Sequence, residues 1–131
     1  MDSGAQKKSR QGVTHSKRFF HAFRGLWVLS AATRHLTFHL ACAMIAVFLG
    51  FYFGISGPEW IAIVFAIGFV LVAEAFNTAI EIDIDLTSPE YHPYARDTKD
   101  VAASAVLLAA ITAVIVGAII FLPKIYKLLQ S

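Results

Sequence analysis

Apolar residues run almost unbroken through three stretches of the chain, residues 36–54, 60–73 and 101–122. The second continues to residue 82 through positions studded with polar side chains. None of the three alternates apolar with polar at period two, which argues against a closed barrel of strands about ten residues long. Each can supply the roughly 20 helical residues that a hydrocarbon core requires. The second does so only if Glu74, Asn77 and Glu81 lie at its end. The pattern predicts an all-α membrane protein with three transmembrane helices over about 35–54, 59–84 and 99–122.

Ahead of these runs the period changes. Phe19, Phe20, Phe23, Leu26 and Trp27 share one face at about 100° per residue, and Lys17, His21 and Arg24 share the other. That predicts an N-terminal amphipathic helix at the membrane surface, either a plain anchor or a roof over a site built by the spans. Residues 1–16 are polar and basic without an apolar period, and read as a disordered segment. Residues 17–131 are left as one membrane domain.

Composition agrees: 57% of residues are apolar, 15% are charged and the mean hydropathy is +0.64. The net charge of +2 matters less than its distribution. Seven of the eleven basic residues precede the first span, the link between the first two spans has none, and the next link has Arg96 and Lys99. The positive-inside rule then places the N-terminus and the second link in the cytoplasm, with Lys124 and Lys127 outside against the trend. The first apolar run starts late and lacks a small-residue cleavage site, so no cleavable signal peptide is expected. Cys42, the single cysteine, falls within a span and reads as packing.

The chemistry gathers between Glu74 and Asp100, which holds every acidic residue except Asp2 and Glu59. Glu74, Asn77, Thr78, Glu81 and Asp85 recur at three- and four-residue steps, within roughly 60° either side of Glu74 on a helical wheel. Asp83 falls on the opposite face. Carboxylates so placed at the inner end of a membrane helix are costly and invite a functional reading. They ask for a cation, and oxygen-rich sites suit magnesium. The other reading is a polar seam that binds neighbouring helices. The following link has two prolines and two tyrosines and predicts an ordered turn. Asp100 reads as a favourable charge near a helix start, and Lys99 as a neutralising charge or a phosphate ligand. His35 and His39 stand four apart at the start of span one without a third metal ligand in spacing, so zinc is not expected. Gly50 and Gly54 form a GxxxG helix-contact pattern, and Gly57-Pro58 an external turn. Phosphate-loop, kinase glycine-loop, nucleophile-elbow and Cys/His-cluster patterns are absent, and nothing points to nucleic acid.

The segment ExxNTAIExxxD, followed by EYHPxAxxxKDxAAxAVLLAAI and the C-terminal GxIIFLPKI, resembles the small prokaryotic diacylglycerol kinase family. Among its branches the chain looks most like the undecaprenol kinases, with RFFHAFRGL, RHLTFHL and the Glu59-Trp60 pair fitting as well. The resemblance covers nearly everything after residue 17. It implies a homotrimeric kinase of the bacterial plasma membrane, with magnesium-ATP as donor and active sites at the membrane–cytoplasm boundary. By position it implies Glu74 as catalytic base and Glu81 as metal ligand. Asn77, Glu81, Asp85, Glu90, Tyr91, His92, Lys99 and Asp100 would contact ATP, and Glu74 and Arg34 would meet the lipid. The family's second metal-binding glutamate stands just before Arg34; this chain has Thr33 there, and a basic or amide residue usual near Thr37 is also missing.

The expected function is therefore phosphorylation of a lipid hydroxyl, most naturally undecaprenol. The alternatives are diacylglycerol as acceptor, a catalytically weakened relative, or a small ion-conducting membrane protein using the same carboxylates.

Overall fold

The computed structural model describes residues 15–32 and 34–130. They form helices α1 (His15–Ala32), α2 (Arg34–Phe53), α3 (Gly57–Thr87) and α4 (Pro93–Leu129). The chain divides into two units after Ala32. The first contributes α1, on which Phe19, Phe20, Phe23, Leu26 and Trp27 are all exposed. The second holds the three remaining helices, each long and apolar enough to cross a membrane.

Within this second unit α3 and α4 form the principal hairpin, and α2 packs mainly on α3. Small and branched residues make the seam: Ala66 and Val70 are buried on α3, Ala102 and Ala109 on α4. Alanine at these positions lets the helices approach closely. Farther along, Ile55, Ile63, Ile120 and Phe121 form the main apolar cluster, joined by Trp60 and Phe53. Outward-facing residues such as Phe48, Phe65, Phe69, Val114 and Ile119 are exposed. A surface this apolar suits hydrocarbon rather than water.

The helix ends have local causes. The α2–α3 turn is Gly54–Ser56, where Gly54 takes φ +56°, a left-handed conformation that suits glycine. Ser56 caps α3, and the Glu59 carboxylate reaches back to its N–H at 2.7 Å and its hydroxyl at 2.8 Å. Gly57 and Pro58 therefore lie inside the first turn of α3, not in the expected turn; proline fits there because its missing N–H would have no helical partner. The GxxxG helix-contact expectation holds for Gly50, against Trp60 of α3, and is corrected for Gly54. A Cβ on Gly50 would lie 2.7 Å from the Trp60 ring, so this glycine seats an indole, while Gly54 ends the helix.

The second link is shorter than expected. Pro93 opens α4, and His92 caps it by accepting the Tyr94 N–H on Nδ1 at 3.3 Å. Asp100 thus lies two turns into the helix and cannot serve as its N-terminal charge. At 31 and 37 residues, α3 and α4 are longer than the expected spans. At 1.5 Å per residue they reach about 46 and 55 Å, against a hydrocarbon core of about 30 Å. The surplus turns carry the charged residues. At its far end α4 passes through Pro123 to Leu129, and Lys124 pairs with Glu59 at 2.9 Å. That pairing gives a local reason for a cation at a position the charge rule disfavours.

Candidate active site

The polar face of α3 divides into a buried part and an open part. Glu74, Asn77 and Thr78 are its buried polar residues, with Glu74 only 2% exposed. Glu81, one turn beyond Asn77, is half-buried, and Asp85 is exposed. The face predicted from spacing is thus a single ridge that climbs from the apolar interior to open solvent. Asp83 lies off it and is exposed, as the wheel predicts.

Each carboxylate on the ridge has a different partner. Glu74 Oε1 lies 3.0 Å from His39 Nε2 on α2. That is a close polar contact between an imidazole nitrogen and a carboxylate oxygen from two different helices. Asn77 donates its amide to Glu81 Oε1 at 3.1 Å. Lys99 of α4 pairs with Asp85. Asn77 Oδ1 and Thr78 Oγ1 are buried and find no hydrogen-bond partner among the described residues. Buried acceptors left this way are uncommon and mark a place where a ligand, an ion or water is needed.

Beyond the ridge lies a polar cleft of about 410 Å³ between the end of α3, the Ser88–His92 link and the start of α4. Asp85, Glu90, Tyr91, His92, Lys99 and Asp100, all named from the sequence as nucleotide contacts, line it together with Arg96. Arg96 Nε sits 3.7 Å from Asp100 Oδ2 one turn away. Three carboxylates therefore face two permanent cations. Asn77 and Glu81, also named as nucleotide contacts, are not in the lining and belong to the ridge.

On the other side of Glu74 an apolar groove of about 240 Å³ is bounded by α2, α3 and α4. Alanines and aliphatic residues line it, together with Phe38, His39 and Cys42. Cys42 is exposed on this groove rather than packed as expected. His39 joins the two regions, since it both lines the groove and holds Glu74. Sequence reasoning weighed His39 only at the start of span one, as a histidine four residues from His35 without a third metal ligand, and did not pair it with Glu74.

Two expected site residues are not placed. Thr33 lies outside the described residues, and the Arg34 side chain is likewise outside them. Among the described residues no three His, Cys, Asp or Glu side chains gather to hold a metal by themselves. The ridge oxygens still fit a magnesium ion. Glu81 has a second oxygen, Asn77 has an orphaned one, and magnesium commonly takes one or two carboxylates plus phosphates and water.

Comparison with known proteins gives these features a context. Residues 20–121 match the prokaryotic diacylglycerol kinase family. The undecaprenol kinase of Bacillus subtilis (strain 168) is 41% identical over 109 residues, covering 83% of this chain and 89% of that protein. A diacylglycerol kinase of Synechocystis sp. is 38% identical over 110 residues, spanning 53% of its own length. The diacylglycerol kinase of Escherichia coli (strain K12) is 29% identical over 97 residues, covering 74% of this chain and 77% of that protein. With three apolar helices, a buried glutamate on α3 and a polar cleft at the end of that helix, this chain belongs to the prokaryotic diacylglycerol kinase family of multi-pass bacterial membrane lipid kinases.

Proposed function

We propose that this lipid kinase transfers the γ-phosphoryl group of ATP to undecaprenol, with Glu74 as the general base. One observation carries the reading: a nearly inaccessible carboxylate lies along α3 between the residues that line the apolar groove, up to Leu71, and those that line the polar cleft, from Ile84. A lipid alcohol and a water-soluble nucleotide can then meet without either leaving its own solvent. The lipid oxygen attacks the γ-phosphorus, its proton passes to Glu74, and the bond to the departing ADP breaks. A lipid hydroxyl is a weak nucleophile, and a positioned base supports its attack. Undecaprenol is favoured over diacylglycerol by the 41% identity to the Bacillus relative.

Lys99 and the Glu90–His92 loop would hold the phosphates and the nucleoside, with Asp85 and Asp100 positioning the two cations. A cleft with more carboxylates than cations suits a nucleotide that arrives with a divalent ion. Glu81 and Asn77 would hold that magnesium, which supplies charge neutralisation on the phosphates. Thr33 offers at most a hydroxyl where the family usually has a carboxylate. Thr33→Glu should tighten the apparent magnesium affinity, read from initial rates across a magnesium titration; an unchanged affinity would sink this assignment.

The positive charge ahead of α2 favours a cytoplasmic N-terminus, and the exposed apolar face of α1 favours a helix lying on the membrane. Extensive exposed apolar surface on α2–α4 is compatible with a homotrimer. The test of function is a mixed-micelle assay of the purified protein with magnesium-ATP, comparing undecaprenol with diacylglycerol. Faster turnover of undecaprenol is expected. Preference for diacylglycerol would reassign the acceptor, and turnover of neither would favour a weakened relative.

A further inference from the structure

We infer that His39 is a positioning residue for the catalytic carboxylate: its imidazole nitrogen, 3.0 Å from Oε1, fixes Glu74 at the junction of the apolar groove and the polar ridge. The inference rests on Glu74 acting as the base.

The geometry has three parts. His39 Nε2 meets Glu74 Oε1 at 3.0 Å, and the two side chains are 15% and 3% exposed. Among the described residues no other side chain pairs with Glu74. The ring of Phe38 packs edge-on to the imidazole, with centroids 5.7 Å apart and planes at 70°, which limits how the histidine can turn. In the groove His39 is set among alanine and aliphatic side chains, so it is the polar group that an incoming apolar chain with a terminal hydroxyl would meet.

The kind of partner matters as much as the distance. Asp85 is held by Lys99 and Glu59 by Lys124, each a full cation. A cation beside a carboxylate favours the ionised form and weakens it as a proton acceptor. Imidazole can donate a hydrogen bond without a permanent charge, so it can hold Glu74 and leave it able to take a proton. A glutamate has three side-chain torsions, and one with no partner would lose the alignment on which proton transfer depends.

The test uses full-length protein in mixed micelles and compares His39→Ala, His39→Gln and Glu74→Gln. The glutamine amide nitrogen can stand where Nε2 stands and still donate. His39→Ala should lower kcat about tenfold to a hundredfold, the scale for losing one close polar partner of a buried carboxyl group. Its KM for magnesium-ATP should stay within about twofold, because the polar cleft is untouched, and His39→Gln should recover most of kcat. Full turnover in His39→Ala beside an inactive Glu74→Gln overturns the inference alone. So does equal loss in His39→Ala and His39→Gln, which marks a packing role. Full turnover in Glu74→Gln removes the base itself, and this inference with it.

Discussion

Two glutamates on α3 are each paired with a basic side chain from another helix, and they are built to different ends. Glu59, at the first turn, has both oxygens engaged: Oε2 accepts from the Ser56 N–H and hydroxyl, and Oε1 from Lys124. Its side chain and that of Lys124 are each 28% exposed. Glu74 lies about 22 Å farther along the same helix by its rise. It is more deeply buried, has a single imidazole partner, and sits beside two buried oxygens with no partner among the described residues. A saturated carboxylate with a full cation ties helices together. An undersaturated one, in a place where burial is costly, keeps capacity for a ligand or a proton.

That contrast can be broken in several ways. The largest expected effect is at Glu74, where glutamine keeps the shape and removes the basic oxygen. Glu74→Gln should lower kcat for lipid phosphorylation by about a hundredfold to ten-thousandfold, the usual reach of a general base. Lys99→Ala comes next. It frees Asp85 and removes a cation from the cleft, so KM for ATP should rise about tenfold. A change confined to kcat would show that Lys99 does not grip the nucleotide. Glu59→Gln should have the smallest effect on turnover. It breaks the tie between the start of α3 and Lys124, lowering the detergent melting temperature by a few degrees while kcat stays within about twofold. A large loss of kcat there would erase the distinction between the two glutamates.

The sequence disclosed what repeats along a single helix. Glu74, Asn77, Thr78, Glu81 and Asp85 were legible because a three- and four-residue step is a local property, and the structure places them on one ridge. The three apolar runs were legible for the same reason, although the charged turns that prolong α3 and α4 lay hidden in what read as a link. Pro93 behind a capping His92 was the available signal for the earlier start of α4. What one sequence could not disclose were pairings between helices. His39 on Glu74, Trp60 over Gly50 and Lys124 on Glu59 join residues with no shared period. The glycine pair shows the hazard in part: of the two residues whose spacing suggests helix contact, only Gly50 makes one, against Trp60, while Gly54 forms a turn.

The central claim is that the buried glutamate, rather than acidic character on α3 in general, performs the chemistry. It is tested by measuring transfer of labelled γ-phosphate from magnesium-ATP to undecaprenol by wild type, Glu74→Gln and Glu59→Gln, purified in the same detergent. The account predicts near-complete loss in Glu74→Gln with a folded, ATP-binding protein, and near-normal transfer in Glu59→Gln. Comparable transfer by Glu74→Gln and wild type would contradict it.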